Sequence, residues 1–139
     1  MDNHSREYIK QLTALKVNME KLQEEMTDLA SNTLLAHVKK RTPVGVYLNK
    51  QGGTLRRNWK KGNKKKTSKG YSIEVYNETP YARHVNYGHK TRNGSYVKGQ
   101  FMLEKAVRST RKVIDKEYLS LIQKIEKDFN QWYKNTLMK

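Results

Sequence analysis

The chain has 139 residues, with 29 Lys and Arg against 13 Asp and Glu, a formal net charge of +16 and a mean hydropathy of −0.99. Cysteine is absent, which excludes disulfides and thiolate chemistry and favours synthesis in a reducing cytoplasm. The length and the lack of an internal repeat predict one domain over residues 1–139, with a thin core. No apolar run approaches the roughly 18 residues of a membrane span, and no secretory signal opens the chain, so we expect no membrane partner.

The first predicted element is a long helix. From Tyr8, apolar residues alternate in steps of four and three along one helical stripe: Leu12, Leu15, Met19, Leu22, Met26 and Leu29. This spacing predicts a helix over residues 1–41, capped by Ser5 and ended by Thr42 before Pro43. Because some 35 helical residues span roughly 50 Å, the stripe is longer than any sheet that this chain could build. A coiled coil is one way to cover it, and packing on a sheet or on a neighbouring subunit is favoured.

Residues 42–100 predict a small antiparallel sheet with basic loops. Gly52 and Gly53 indicate a turn, residues 55–61 a strand, and residues 71–76 alternate like a half-buried strand. These two strands are expected to form a hairpin across an exposed loop, residues 62–70. Residues 81–87 fit either a short strand or one helical turn closed by Gly88, and residues 89–99 read as a second exposed loop.

The last predicted element is a second long helix over residues 101–137. Its stripe also steps by three and four, and it includes Val107, Ile114, Tyr118, Leu121, Ile122, Ile125, Phe129 and Trp132. The predicted fold class is therefore α+β, with a long N-terminal helix, a small antiparallel β-sheet and a long C-terminal helix.

Four short motifs occur in fixed order between the two helices. They are Thr42-Pro43-Val44; Gly53, Leu55 and Arg56 ending in Asn58-Trp59; Tyr81-Ala82 with Val85 and Gly88; and Phe101 leading to Ala106. Each alone is explained by proline and glycine shaping the backbone. As an ordered set they resemble the tail-completion, or head-to-tail joining, proteins of tailed bacteriophages.

The resemblance implies a virion structural protein at the neck, which uses no cofactor. It implies a ring of six copies that completes the tail and joins it to the head connector, and a free monomer is compatible with this. The implied partners are further copies, head-closure or connector proteins, and tail-tube or tail-terminator proteins. Assembly would take place in the cytoplasm of a bacterium that carries the phage or prophage. Many family members carry an acidic residue at the position of Asn86 and a hydroxyl residue at that of His89, and residues 46–51 form an insertion in the first loop.

Several residues are candidates for a subunit or partner interface. On the predicted strand Arg57 and Trp59 share one face, where an arginine over an indole would anchor a contact. The alternative packs Trp59 under the first helix and leaves Arg57 in solvent. Tyr81, Tyr87 and Tyr96, with Asn86 beside Tyr87, are either interface residues or part of ordinary packing at the sheet edge.

The middle of the chain is unusually basic, since residues 33–70 hold twelve basic and no acidic side chains, and residues 1–32 hold four and six. The loop over residues 62–70 contains four lysines: Lys64, Lys65, Lys66 and Lys69. It is either a solvated loop, a docking loop for an acidic partner, or a loop that contacts DNA phosphates. The loop has no aromatic side chain for base stacking, so we expect only incidental contact with nucleic acid. The rival hypothesis remains a small basic nucleic-acid-binding protein.

Catalytic motifs are missing from the sequence. His37, His84 and His89 have neither a carboxylate at ligand spacing nor a cysteine partner. A phosphate-binding glycine loop and a nucleophile elbow are also lacking. We therefore predict a protein that is not an enzyme and that has no metal site.

Overall fold

The computed structural model describes residues 1–45, 48 and 51–138 and consists of two long helices joined by two hairpins. The elements are α1 (Asn3–Arg41), α2 (Thr54–Arg57), β1 (Trp59–Lys61), β2 (Lys65–Thr67), β3 (Gly70–Ser72), β4 (Val75–Asn77), α3 (Ala82–Tyr87), β5 (Gly88–Lys90), β6 (Tyr96–Lys98) and α4 (Met102–Thr136). The predicted α+β class is confirmed. Most of the predicted insertion at residues 46–51 lies outside the described residues.

The ends of α1 show one correct and one wrong prediction. The helix begins one turn earlier than expected, because the Asp2 carboxylate accepts a hydrogen bond from the Ser5 amide at 2.7 Å. Asp2 is therefore the N-cap, and the prediction of Ser5 in that role is wrong. The predicted end is confirmed, because Thr42 takes an extended backbone (φ −78, ψ 124) directly before Pro43.

The two long helices pack against each other in antiparallel order. Near one end His37 Nδ1 lies 3.1 Å from Thr110 Oγ1, and near the other the rings of Tyr8 and Trp132 are 6.5 Å apart. The first hairpin lies along the C-terminal half of α1, from Glu24 to Thr42, and the stripe of α1 rests mainly on the last helix. We expected a sheet or a neighbouring copy there, but the stripe of α4 is almost as long as that of α1 and covers it first.

The first hairpin is continuous but bulged. β1 pairs with β4 and β2 with β3, while residues 62–64 lie opposite residues 73 and 74, one residue fewer. A β-bulge of this kind breaks the ladder and bends the hairpin. The predicted strand over residues 55–61 is half helix, since α2 occupies Thr54–Arg57. The predicted loop over residues 62–70 is wrong as well, because it contains β2 and a tight turn.

The second hairpin follows a short helix. Residues 81–87 form the helical turn that was one of the two alternatives, and Gly88 ends it with φ +85. The predicted loop over residues 89–99 is largely β5 and β6, which pair with His89 opposite Val97. Only the tip between them is a turn.

The core lies where α1, α2, β1 and α4 meet, and it consists of Val38, Leu55, Trp59, Met102 and Ala106. At its edge Thr42 is 1% exposed. Its hydroxyl donates to the Val38 carbonyl at 2.6 Å and accepts from Trp59 Nε1 at 2.8 Å.

The carbonyl of Thr42 has partners of its own. It accepts from Nη2 of Arg56 at 2.8 Å and from its Nε at 3.2 Å. The first two motifs of the sequence therefore meet at one buried residue, which joins the end of α1 to α2 and β1.

We predict that T42V destabilises the fold by about 2 kcal/mol, because it leaves the buried indole N–H of Trp59 without an acceptor. The same change in a W59F background, where no indole donor exists, should cost about 1 kcal/mol less. Urea unfolding of the four variants of the cycle measures both quantities. Equal costs in the two backgrounds would contradict the proposed coupling.

Candidate assembly surfaces

The start of α4 is held by a side chain from α3. Phe101, directly before the helix, provides no side-chain cap. Asn86, which is 5% exposed, provides it instead, since its Oδ1 accepts from the Leu103 amide at 3.2 Å. Its Nδ2 donates to both carboxylate oxygens of Glu104, at 3.1 and 2.9 Å.

The resemblance implies an acidic residue at position 86 in many family members, and this chain has an amide there instead. An acidic residue at this position would face Glu104, whereas the amide complements it. Glu104 was not among the residues predicted from the sequence. The available signal was its place in the first turn of α4, where a negative charge is favourable.

Three aromatic side chains lie beside this junction, and we call them the aromatic corner: Tyr87, Tyr96 and Phe101. The rings of Tyr87 and Phe101 meet edge to face with centroids 6.4 Å apart, and the Tyr96 hydroxyl donates to the Tyr87 carbonyl at 2.8 Å. Tyr96 is 64% exposed and Tyr87 49%. Two of the predicted interface tyrosines are thus brought together on the surface, and Phe101, predicted only as part of a motif, joins them.

Strained and closely packed backbone fixes the aromatic corner. Phe101 has φ +49 and is the one residue other than glycine, among those described, with a positive φ; such strain persists only where the surroundings impose it. Gly88 and Gly99 approach so closely that a Cβ on either would collide with backbone atoms of the other. The corner is therefore held rigidly.

Four cations lie on the elements that carry the two tyrosines of the aromatic corner, α3 and the second hairpin, and we call them the corner cations: Arg83, Lys90, Arg92 and Lys98. Arg83 lies one helical turn before Tyr87. The register of β5 and β6 pairs Lys90 with Tyr96, and strand alternation puts Lys98 on the same face. All four are exposed, and none forms an ion pair within residues 1–45, 48 and 51–138.

A second surface is formed by the ends of the long helices away from the core. We call residues 3–21 of α1 and 111–136 of α4 the distal helix pair. Each strip runs for roughly 30 Å or more, and neither contains a buried residue among those described. Leu15, Ile125 and Phe129 are half-buried, whereas Ile9, Leu12 and Leu119 are exposed.

Packing within the distal helix pair is also open. A cavity of about 160 Å³ lies between Leu15, Asn18, Ile125 and Trp132. Next to this pair, nearer the core, a larger groove of about 510 Å³ runs between the first hairpin, α1 and α4, and its walls include Met26, Leu34, Ile73, Val107 and Ile114. Well-packed interiors leave few such spaces, so one chain leaves these apolar strips incompletely covered.

The predicted lysine loop does not present its lysines as a set. Lys64 turns back to α1, where its Nζ lies 2.7 Å from a Glu24 carboxylate oxygen and 3.0 Å from one of Asp28. The hydrogen bonds that Lys64 donates to the carboxylates of Glu24 and Asp28 raise its pKa. Lys65 and Lys66 follow one another on β2 and so point to opposite faces, and Lys69 lies in the turn.

The other predicted interface residues are spread over the surface and the core. Arg57 lies on α2 and donates to the Gly52 carbonyl at 2.9 Å, so the shared strand face with Trp59 is wrong. Trp59 is 5% exposed and belongs to the core under α1, which is the alternative that the sequence left open. Tyr81 is exposed at the mouth of a small pocket with Val44 and Val85.

The histidines do not build a catalytic or metal centre in the described part of the chain. The rings of His84 and His89 are in contact, 5.6 Å apart, and His37 bonds Thr110 across the helix pair. Within residues 1–45, 48 and 51–138, no group of three His, Cys, Asp or Glu side chains is arranged to hold a metal.

The exposed aromatics, unpaired cations and uncovered helix stripes are features of a structural subunit that works by contact. The chain belongs to the HK97-gp10-like family, whose model, described as "Bacteriophage HK97-gp10, putative tail-component", matches residues 6–88. The match covers more than half of the chain, from α1 to the end of α3, and includes the Thr42 junction. The protein is thus a component of a phage tail.

No curated protein and no solved structure matches the chain. Among the described helices, none combines the length and the apolar character that a membrane crossing demands.

We predict that N86D destabilises the protein by about 3 kcal/mol at neutral pH, since the new carboxylate is buried against Glu104. The loss should shrink as the pH falls, because a protonated carboxyl group can donate again. Thermal unfolding between about pH 4 and pH 8 measures it.

The double variant N86D/E104Q is the matched control for that prediction. It restores one donor and one acceptor at the same positions and should recover most of the stability. An N86D protein as stable as the wild type at neutral pH would contradict the role assigned to Asn86.

We predict that K64M lowers the unfolding temperature and that K65M, on the outer face of β2, leaves it unchanged. A raised pKa means that Lys64 stabilises the fold fully below about pH 10.5, and that this contribution is lost as the pH rises through its folded pKa. The difference between the variants should therefore vanish in strong alkali and shrink in about 1 M salt. Calorimetry across pH measures it, and equal unfolding temperatures at neutral pH would contradict the ion pairs.

Proposed function

We propose that this tail component acts at the neck, where several copies form a ring that completes the tail and joins it to the head. The mechanism is complementarity of shape and charge, with no bond made or broken. Six copies are the number that the resemblance implies, and a free monomer is compatible with assembly on the tail end.

The observation that carries the proposal is the distal helix pair. The distal helix pair makes up 19 of the 39 residues of α1 and 26 of the 35 residues of α4, and it has apolar side chains but no buried residue among those described. Exposed apolar strips of this extent mark protein–protein contact, and copies that cover each other's strips form a closed ring if the rotation between them closes.

A neck protein must also meet two different neighbours, and the chain has surfaces of different chemistry. The distal helix pair exposes aliphatic residues such as Ile9, Leu12 and Leu119. The aromatic corner exposes tyrosines among cations at the other end of α4. This separation suits a subunit that binds its own copies with one surface and another component with the second.

The rival proposal, nucleic-acid binding, drew on the basic middle segment. Lys64 is paired with α1, Lys60 with Glu78 at 3.1 Å, and Lys61 donates to Asn32 at 2.6 Å. These lysines serve to dock and brace the hairpin, so the segment offers fewer free cations than its composition suggests.

The test is deletion of the gene from the phage or prophage that encodes the chain. We expect electron micrographs of the lysate to contain DNA-filled heads and complete tails that are not joined. A plasmid copy of the wild-type gene should restore joined, infectious particles. Joined particles without the gene, or a lysate without any tails, would contradict a neck role.

Two plasmid variants test the distal helix pair in the same assay. L12E places a charge on the exposed apolar edge of α1 and should fail to restore joined particles. V17E is the control, because Val17 is also exposed but lies on the opposite side of the helix. Both purified variants should unfold at the wild-type temperature, which separates loss of assembly from loss of folding.

A further inference from the structure

We propose that the aromatic corner and the corner cations form a docking surface for a second virion protein with an apolar and acidic face, and not for another copy of this chain. This inference rests on the neck role proposed above and assigns one of its two partners to one surface. The juxtaposition that carries it is Tyr87, Tyr96 and Phe101 held among four cations without carboxylate partners in the described residues.

The first argument is that the surface is already in its binding shape. The Asn86 amide fixes the start of α4, the Tyr96 hydroxyl is bound to the Tyr87 carbonyl, and Phe101 is held at φ +49. Tyrosine and arginine are the side chains that most often dominate binding energy at protein interfaces. Side chains ordered in advance lose little conformational entropy when a partner binds.

The four corner cations have no carboxylate partner within the described residues. Residues 81–100 hold four basic and no acidic side chains, and no ion pair in the described part of the chain involves any of the four. Lys60 and Lys64, in contrast, have carboxylate partners within the chain. Unpaired cations around an aromatic cluster complement an acidic rim on the partner.

Charge disfavours a second copy as the occupant of this basic surface. The chain carries a net charge of +16, so two copies repel each other unless locally acidic faces meet. Its most acidic stretch, residues 20–28, holds four acidic residues and one basic residue. Two of those acids, Glu24 and Asp28, already bind Lys64.

The shape of the surface favours a protein over DNA. Duplex DNA offers phosphates to cations but no site for exposed tyrosine and phenylalanine rings outside its grooves. Unstacked bases would accept such rings, so nucleic acid is treated as an outcome of the test.

The experiment uses heads and tails purified separately from the deletion lysate. The full-length chain, labelled at its N-terminus, is mixed with each particle, and binding is measured by co-sedimentation over a range of protein concentrations. The wild-type chain should bind at least one of the two particles.

The variants remove the rings or reverse the charges, and each has a matched control on the first hairpin. Y96A/K98E and K90E/K98E should bind one particle at least about tenfold more weakly and bind the other unchanged. Y76A/K65E and K65E/K69E alter exposed residues of the same kinds and should bind both particles like the wild type. Y96F, which keeps the ring, should lose less binding than Y96A.

The outcomes separate this inference from the proposed function. A wild-type chain that binds neither particle ends both proposals. If the wild-type chain binds a particle and every corner variant binds it equally well, only the docking inference is wrong. The docking inference is also wrong if the corner variants keep particle binding but lose self-association, measured by analytical ultracentrifugation at high protein concentration. The surface would instead bind nucleic acid, and the inference would be overturned, if two results occur together. Nuclease treatment of the particles would abolish binding of the wild-type chain, and the corner variants would bind oligonucleotides more weakly than the wild type.

Discussion

The hydrogen bond between the Thr42 hydroxyl and the Trp59 indole is the interaction on which the rest of the fold depends. The hydroxyl lies where α1 ends, bonds the indole of Trp59 at 2.8 Å, and sits beside a carbonyl that holds Arg56. A proline follows, so the chain cannot continue as helix. One buried side chain therefore sets the direction in which the polypeptide leaves α1 and fixes β1 against the core. The first hairpin takes its position from that junction, whereas Asn86 of α3 fixes the start of α4.

The core is thin because most apolar residues are spread along the two long helices and few of them lie in one buried cluster. Five buried side chains form the main cluster, while the two long helices carry many more apolar residues that one chain leaves half-covered. An isolated molecule with such a surface gains stability when like surfaces meet. The first turn of α4 also depends on another element, because Asn86 of α3 caps it. The surfaces that limit the stability of one chain are thus the same surfaces that we propose for assembly.

The sequence predicted the helices well, because their stripes have a regular period and Thr42-Pro43 is a strong stop signal. It failed where residues from distant positions decide the structure. The Asp2 cap took precedence over Ser5 through a single side-chain hydrogen bond, and the pairing of β2 with β3 turned most of a predicted lysine loop into a hairpin. No local sequence pattern predicts the ion pair between Lys64 and Glu24 or the hydrogen bonds from Asn86 to Glu104. The tyrosines at 87 and 96 were found as candidates, but only the fold brings Phe101 to them.

The distribution of lysines over the two hairpins has a further consequence. A two-stranded hairpin leaves both outer edges without strand partners, and such edges can recruit strands from other molecules. Here β1 and β2 carry Lys60, Lys61, Lys65 and Lys66, and β5 and β6 carry Lys90 and Lys98. Charged side chains along an unpaired edge oppose uncontrolled strand addition. Under the proposed ring assembly, these charged edges keep free copies from adding strands to one another and forming fibrous aggregates.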